Sequence, residues 1–350
     1  MDFRRSLVNH SPLRRRPEVM LRRMLDRVSA DTTVTEPVAE LEQRVAELLG
    51  KPRALFFPTG TMAQQVALRI HAERTGRPAF TAHRTNHLDL WEQRGYAVVH
   101  GLRYVPVGDA HRLLTLEDLT AVGERPGTLL LELPQREIGG DLPAWDDLTA
   151  QLDWARRHGA ATHLDGARLW EAQPFYDRPH AEIAGLFDTV YVSLYKGLEG
   201  IRGGLLAGED DLIAEAEVWR QRLGGAVPDA WPLALAGLVG LDEQLDRMPA
   251  FRDHAVAVAA AISADGTAAV VPDPPRTPLF HIHLPVPPYA ARRANREMVE
   301  EHGVQVLTYV QSQPLPDRCA FEITVGENAM AFSPEEFVEL LRELVERACS

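Results

Sequence analysis

The sequence predicts an α/β protein with a mostly parallel central sheet, flanking helices and a smaller C-terminal α+β domain. Short apolar runs alternate with amphipathic helical stretches from residue 50 to about 210, which is typical of βαβ units. A proline-rich passage, VVPDPPRTPLFHIHLPVPP, breaks this pattern from residue 270. At 350 residues, the chain also exceeds the roughly 250 to 300 residues at which a single core stops growing. We therefore expect two domains.

The predicted organisation is an N-terminal arm over residues 1–30, a large α/β domain over 31–250 and a small C-terminal α+β domain over 251–350. The arm is rich in arginine but lacks the continuous apolar stretch of a signal peptide. A transit peptide is the alternative interpretation. Glu18, Asp26 and the good helix formers around them favour a docked arm instead.

The large domain is expected to alternate strands and helices along the chain. The predicted strands are ALFFP (54–58), RPAFTA, AVVHGLRYVPV, TLLLELP (128–134), ATHLDG (161–166) and DTVYVSLYK (188–196). Helices are predicted at 61–74, 143–158 and 210–223, the last two bounded by proline or glycine. Two long helical stretches follow near 232–263, and the small domain ends in a helix at 333–348.

Charge and cysteine content narrow the class of partner. The net charge of -13 argues against nucleic acid, because binding a polyanion needs a basic surface. Cys319 and Cys349 form neither a metal-ligand nor a disulfide pattern, which favours a reducing compartment, with the cytoplasm as the expected location. No stretch approaches the roughly 20 apolar residues of a membrane span. The expected partner is a small molecule, with no nucleic acid and no membrane.

Thr59, Gly60 and Thr61 lie in the segment PTGTMAQQ, where a predicted strand turns into a helix. Backbone N–H groups and hydroxyls converge there at the positive end of the helix dipole, so this turn predicts a phosphate-binding site. An ordinary helix cap is the alternative, because a capping threonine with a nearby glutamine is common.

Asp165 and Lys196 each end an apolar run. Asp165 falls at the end of a predicted strand in THLDGARLW, at the edge where open α/β sheets bind ligands. Lys196 ends another in SLYKGLEGIRGG, whose glycines let the backbone pack closely around a ligand. Taken singly, Asp165 could cap a turn, and Lys196 could be a solvated surface lysine.

Together, the phosphate site, the carboxylate and the lysine match the needs of pyridoxal 5'-phosphate (PLP). A lysine can hold this cofactor as a Schiff base. A carboxylate at the ring nitrogen keeps it protonated, so that the ring accepts electrons from the substrate Cα. Arg168, three residues beyond Asp165, could contact the ring oxygen or the substrate. The sequence thus predicts a PLP enzyme that acts on a small amino acid.

The chain resembles the threonine aldolase and β-eliminating lyase family of fold type I PLP enzymes. The resemblance rests on the segments LFFPTGTMAQQVAL, HLDLWEQRG, LELPQREIGG, HLDGARLWEA and SLYKGLEGIRGGLLAG. It implies a phosphate loop, a ring-stacking histidine, a pyridinium partner, a ring-oxygen neighbour and a Schiff-base lysine. By this resemblance, the phosphate loop is Gly60 with Thr61, and the ring-stacking histidine is His87, in an H-x-x-x-x-E run closed by Glu92. The pyridinium partner is Asp165, the ring-oxygen neighbour is Arg168 and the Schiff-base lysine is Lys196. The resemblance also implies a homodimer or homotetramer with shared active sites.

A stacked imidazole keeps its nitrogens available for proton transfer, so Lys196, His87 and Asp165 are the predicted catalytic residues. The segment HRTNH, which ends at His87, contains two histidines four residues apart. It has no carboxylate or cysteine at metal-ligand spacing, and no metal is predicted.

The chain departs from the family where the substrate is expected. Gln135 stands in LELPQ where the family commonly has a histidine linked to the substrate hydroxyl, and glutamine cannot act as a base at neutral pH. The family's G-G-G-M-R-Q stretch is replaced by GGAVPDA, without its arginine. The C-terminal arginine that would bind the substrate carboxylate is replaced near Phe321 and Glu322. The candidate substitutes are Arg318, Arg202 and Arg4. Ser6, in the opening DFRRS, is also predicted to approach the substrate.

The leading functional hypothesis is an aldolase-type lyase that cleaves the Cα–Cβ bond of a β-hydroxy-α-amino acid to glycine and an aldehyde. Other outcomes of the same cofactor chemistry are β-elimination, transaldol transfer, racemisation and transamination, because the cofactor stabilises the carbanion and the pocket selects its fate. A third hypothesis is a catalytically silent protein on the same fold, since fold alone does not determine function.

Overall fold

The computed structural model describes residues 3–7 and 13–350. Contacts within the chain divide it into two compact units. The larger unit contains Arg23–Glu137 and Leu142–Leu245, and the smaller contains the described residues up to Arg22 together with Ile138–Asp141 and Asp246–Ser350. The domain boundaries expected at residues 30 and 250 stay predictions.

The strands of the described residues are numbered in chain order. They are β1 (Arg5–Ser6), β2 (Arg53–Phe57), β3 (Ala79–His83), β4 (Arg103–Val107), β5 (Thr128–Glu132), β6 (Ala161–Gly166), β7 (Thr189–Ser193), β8 (Gly204–Gly208), β9 (Ala269–Val271), β10 (Leu279–Leu284), β11 (Val304–Gln305), β12 (Gln311–Ser312) and β13 (Cys319–Thr324).

The α-helices are numbered in the same way. They are α1 (Pro17–Leu25), α2 (Glu36–Leu49), α3 (Gly60–Thr75), α4 (His87–Leu90), α5 (Gly95–Val98), α6 (Leu116–Thr120), α7 (Trp145–Arg157), α8 (Leu169–Tyr176), α9 (His180–Gly185), α10 (Asp210–Arg222), α11 (Trp231–Gln244), α12 (Met248–Asp265), α13 (Pro288–His302) and α14 (Pro334–Cys349).

The larger unit contains a seven-stranded sheet with the strand order β2-β8-β7-β6-β5-β3-β4. The pairs β3–β4, β3–β5, β5–β6 and β6–β7 are parallel, whereas β8 runs antiparallel to both β2 and β7. Strands β3, β5 and β7 are buried along their whole length, as expected where both faces of a parallel sheet are covered. The predicted α/β fold with a mostly parallel sheet is confirmed.

Helix α3 packs one face of this sheet and explains how the segment after β2 is positioned. Ala63, Val66 and Ile70 of the helix are fully buried in a cluster with Tyr191 of β7 and Leu206 of β8. The helix begins after Thr59, whose side chain accepts a hydrogen bond from the Met62 backbone, and it ends at a glycine in the left-handed conformation. Its first turn is therefore fixed by both capping and packing.

Two segments differ from the predicted strands. The run AVVHGLRYVPV divides between the end of α5 and strand β4, because Gly101, at φ +65°, turns the chain between them. Strand β8 is missing from the prediction because GLLAG offers only three apolar residues between two glycines, which is a weak strand pattern.

The smaller unit contains an antiparallel sheet with the order β12-β13-β10-β9 and a separate parallel pairing of β1 with β11. Phe280, Ile282 and Phe321 on the central strands are buried. On the same two strands, His281 lies opposite Glu322 in the register. Helix α14 packs against α12 and α13. Among the described residues, no helix combines the length and apolar character that crossing a membrane would need.

Candidate active site

The candidate site lies at the carboxyl edge of the parallel strands in the larger unit. Asp165 on β6 lies beside Glu132 on β5 and Tyr191 on β7 in the strand register. Strand β7 ends at Ser193, and Lys196 follows it. Because parallel strands end at the same edge of a sheet, the predicted carboxylate and the predicted lysine are brought together.

The Asp165 carboxylate is buried and fixed by two N–H donors. Oδ2 accepts a hydrogen bond of 3.0 Å from Gln64 Nε2, and Oδ1 accepts one of 3.0 Å from the Ala167 backbone. Such donors stabilise the charged form of a carboxylate. The Gln64 Oε1 atom is also buried, and it has no hydrogen-bond partner among the described residues. A polar atom in that position is suited to a ligand beside Asp165.

The predicted phosphate-binding turn forms the first turn of α3. Thr59 caps the helix through its side-chain oxygen, 3.2 Å from the Met62 nitrogen. Thr61 contributes a side-chain hydrogen bond to Glu92. Gly60 lies against β7, because a Cβ atom at this position would be only 1.9 Å from the Tyr191 hydroxyl oxygen. Glycine is therefore required here, and the helix start presents backbone N–H groups at the positive end of its dipole.

Lys196 is one of only two lysines in the chain, the other being Lys51. Burial and the neighbouring Arg168 lower the pKa of Lys196 to about 8, against the opposing charge of Asp165. Arg168 is itself buried, at 6% exposure. The Lys51 ammonium instead donates a hydrogen bond to the carbonyl of Phe187. Lys196 is thus a lysine that can become a neutral amine near physiological pH.

His87 opens helix α4 and connects two carboxyl groups of the site. Its backbone N–H donates to Glu132 Oε1 at 2.6 Å, and its Nε2 atom lies 3.8 Å from Glu92 Oε1. Burial lowers the pKa of His87 to about 4, with Asp165 opposing and Lys196 assisting that change. Burial raises the pKa of Glu92 to about 7, against hydrogen bonds from Gln65 and Thr61. The imidazole is therefore neutral at neutral pH.

Gln135 is buried at the same edge and contacts a residue that sequence reasoning missed. Its Nε2 atom donates to Glu132 Oε2 at 3.1 Å and to Thr85 Oγ1 at 3.3 Å. Burial and the nearby Asp165 raise the pKa of Glu132 to about 8. Gln64 was missed as well. The signal that could have identified Glu132 is its place at the end of the apolar run TLLLE, one strand away from Asp165.

Ser6 and Arg318 belong to the smaller unit. The Ser6 hydroxyl donates to Gln305 Oε1 at 3.1 Å. Arg318 is exposed and lines, with His283 and Leu315, a groove of about 490 Å³. The contacts of both residues with the substrate stay predictions.

In the segment HRTNH, the ring nitrogens of His83 lie 2.8 Å from Thr85 Oγ1 and 2.8 Å from the Arg112 carbonyl oxygen. Within residues 3–7 and 13–350, no group of three or more histidine, cysteine, aspartate or glutamate side chains could hold a metal ion.

The α/β fold, with a half-buried lysine of lowered pKa and a fixed carboxylate at one sheet edge, is that of the fold type I enzymes that depend on PLP. A family model described as "Beta-eliminating lyase" matches residues 20–286. The chain belongs to this family, and the predicted resemblance to its threonine aldolase group is confirmed, as is the class of PLP-dependent lyases.

Three relatives illustrate the similarity. A solved structure from Listeria monocytogenes, assigned as an L-allo-threonine aldolase, is 33% identical, with a TM-score of 0.92 over 99% of this chain and 97% of that chain. The low-specificity L-threonine aldolase of Escherichia coli K12 is 33% identical over 224 residues, which cover 62% of this chain and 66% of the relative. An alanine racemase of Cochliobolus carbonum is 29% identical over 270 residues, 73% of this chain and 68% of the relative.

Proposed function

We propose that this chain cleaves the Cα–Cβ bond of a β-hydroxy-α-amino acid to give glycine and an aldehyde. The observation that carries the proposal is one sheet edge that combines a lysine of lowered pKa, Lys196, with a buried carboxylate, Asp165, held by two N–H donors. The similarity to proteins assigned as threonine aldolases in L. monocytogenes and E. coli supports it.

The residues present fit PLP. Lys196 would hold the cofactor aldehyde as a Schiff base, and Asp165 would contact the ring nitrogen. The first turn of α3 would hold the phosphate, since Gly60 has no side chain to cover its N–H groups. The remaining assignments are His87 on the ring face, Thr59 and Thr61 at the phosphate, and Arg168 at the ring oxygen. When bound, PLP supplies an electron sink for the charge that develops on the substrate Cα.

The proton of the substrate's β-hydroxyl needs an acceptor during this cleavage. Gln135 cannot be that acceptor, because a neutral amide is not a base near neutral pH. His87 offers a neutral imidazole at this edge, because burial lowers its pKa to about 4. Glu92, 3.8 Å from His87 Nε2, can exchange a proton with the imidazole because its pKa is raised to about 7. We assign acceptance of the hydroxyl proton to His87, and exchange of that proton with the imidazole to Glu92.

The substrate assignment is tested with threonine, allo-threonine and phenylserine. We expect the purified protein with PLP to release an aldehyde and glycine in equal amounts from at least one of them. The aldehyde is measured by coupled reduction and the glycine by chromatography. Protein that binds PLP but releases neither product from all three would contradict the proposal.

Racemisation is a second candidate, favoured by the alanine racemase among the relatives and by Gln135 at the position expected to contact the substrate hydroxyl. Chiral chromatography of L-alanine after incubation separates the two candidates. Loss of optical purity without cleavage of any hydroxy amino acid would favour racemisation. Accumulation of pyridoxamine phosphate would instead indicate transamination.

The lowered pKa of Lys196 predicts how cofactor capture depends on pH. Only the neutral amine adds to an aldehyde, and the pKa is about 8. We expect the rate of covalent PLP capture by the cofactor-free protein to rise about tenfold per pH unit from pH 6 to 7.5 and to level off above about 8.5. Stopped-flow absorbance measures the rate. The reaction of PLP with a small free amine over the same pH range is the reference that corrects for the titration of PLP itself. A rate that keeps rising towards pH 10 would contradict the lowered pKa.

We further propose a homodimer or homotetramer in the cytoplasm. The resemblance to the threonine aldolase family supports the assembly, and the presence of only two cysteines supports a reducing compartment. Cys319 and Cys349 are unpaired with each other. Size-exclusion chromatography with light scattering distinguishes a dimer or tetramer of the 38.9 kDa chain from a monomer.

A further inference from the structure

Arg136 lies at the candidate site, although sequence reasoning gave it no role. Strand β5 ends at Glu132, which is opposite Asp165 on β6 and accepts the backbone hydrogen bond of His87. The chain then passes through the buried Gln135, and Arg136 opens a short 3-10 helix directly after it. The arginine therefore leaves the same sheet edge that carries the predicted catalytic groups.

Glu137 and Trp91 both contact the Arg136 guanidinium. Its Nη1 atom is 3.2 Å from Glu137 Oε1, and its Cζ atom is 5.3 Å from the centre of the Trp91 ring. The Trp91 indole N–H donates to the same Glu137 oxygen at 2.9 Å. Ion pairing and the cation–π contact together orient a group that would otherwise move freely. The side chain is 24% exposed, so a small molecule can reach it.

The charge of Arg136 acts on both groups that the proposed reaction needs. It lowers the pKa of His87, after burial and the charges of Asp165 and Lys196, and it also lowers the pKa of Lys196, after burial, Arg168 and Asp165. The geometry agrees with this, because the guanidinium lies over Trp91, the residue that ends the short helix beginning at His87. Arg136 therefore lies at the sheet edge that carries His87 and Lys196, where an amino-acid substrate would bind.

Every α-amino acid substrate carries a carboxylate on the carbon whose bond is broken, and a cation near Lys196 can orient it. A guanidinium suits a carboxylate because its two planar N–H edges allow paired hydrogen bonds. Arg168, three residues after Asp165, is another arginine of the larger unit whose charge acts on Lys196, but it is only 6% exposed.

We propose that Arg136 binds the α-carboxylate of the amino-acid substrate and thereby orients the bond that is cleaved. This inference rests on the proposed function, because it assumes that an amino acid binds beside Lys196. Trp91 and Glu137 are then positioning residues that fix the guanidinium before the substrate arrives.

The test compares the binding of glycine and glycinamide, which differ only at the carboxyl group, by calorimetry with the PLP-loaded protein. Wild type should prefer glycine. In Arg136→Gln, we expect the Kd of glycine to rise about 10- to 100-fold, the range for loss of a charge-assisted pair of hydrogen bonds. The Kd of glycinamide should change less than about twofold. Arg136→Lys should restore part of the preference, because it keeps the charge but loses the paired geometry.

Arg94→Gln is the matched control, because Arg94 is an exposed arginine on Asp89 that takes no part in the proposed binding. It should bind both ligands as wild type does. Equal weakening of glycine and glycinamide in Arg136→Gln, or no change in either, would overturn the assignment. Loss of the preference in Arg168→Gln alone, in a variant with an unchanged melting temperature, would assign the carboxylate to Arg168 instead.

The same titrations separate failure of this inference from failure of the proposed function. If wild type binds glycine and hydroxy amino acids but Arg136→Gln binds them equally well, the role of Arg136 is wrong and the proposed function stands. If wild type binds glycine and glycinamide equally well, only the inference is overturned, whereas wild type that binds no amino acid at all overturns the proposed function as well.

Discussion

Replacement of Lys196 by alanine is expected to reduce the rate of amino-acid cleavage about 10³-fold or more and to remove covalently held PLP. The reason is that Lys196 is the amine at the site, with a pKa lowered to about 8 by burial and by Arg168. Activity is measured by aldehyde release at saturating PLP. Bound cofactor is measured by its visible absorbance after desalting.

Lys51→Ala provides the matched control, because Lys51 is the other lysine of the chain and donates only to a backbone carbonyl. This variant should keep both its activity and its bound cofactor. Full activity in Lys196→Ala would contradict the account. So would loss of covalent PLP in Lys51→Ala while that variant keeps its melting temperature.

Asp165→Asn is expected to lower kcat about 10²- to 10³-fold, the range for removal of one preorganised charge from an active site. Both groups that contact the carboxylate are N–H donors, from Gln64 and from the Ala167 backbone. An asparagine amide would point a third donor at one of them, and it would also remove the negative charge that we propose keeps the ring nitrogen of bound PLP protonated. PLP should remain covalently bound, which distinguishes this variant from Lys196→Ala.

Asp89→Asn is the control for this substitution, since Asp89 accepts a 2.6 Å hydrogen bond from the Tyr96 hydroxyl and has no proposed role with the cofactor. Its kcat should stay within about twofold of wild type. A kcat for Asp165→Asn equal to that of the control would show that the charge of Asp165 is not needed for the reaction.

The position of the site could be predicted from the sequence because Asp165 and Lys196 follow long apolar runs. Buried parallel strands produce such runs, and their carboxyl ends must meet at one edge. The structure accordingly places Asp165 on β6 and Lys196 just beyond β7. The start of helix α3 in PTGTMAQQ could also be predicted, because its cap and its glycine are local features of the sequence.

The supporting residues could not be predicted, because their roles depend on contacts between distant parts of the chain. Gln64 donates to Asp165, 101 residues further on, and Trp91 donates to Glu137, 46 residues away. No local pattern signals such pairs. For the same reason, the sequence identified Gln135 as a missing base but gave no role to Arg136 beside it. The contacts of Arg136 with Trp91 and Glu137 are visible only in the structure.

The raised and lowered pKa values at this edge could not be predicted from sequence patterns either. Glu132 and Glu92 have raised pKa values, and His87 and Lys196 have lowered ones, with burial as the first cause for each. Burial depends on how the sheet, α3 and the loop after β5 pack together. A cluster of groups with such shifts is typical of an active site.

The central claim is that Lys196 carries the cofactor, and reductive trapping tests it most directly. The protein is incubated with PLP, reduced with borohydride, digested and sequenced by mass spectrometry. Because the chain has only two lysines, the labelled peptide shows which of the two carries the cofactor. The account predicts a pyridoxyl group on the peptide that contains Lys196, at close to one per chain. A label on Lys51, or no label on either lysine after PLP has bound, would contradict it.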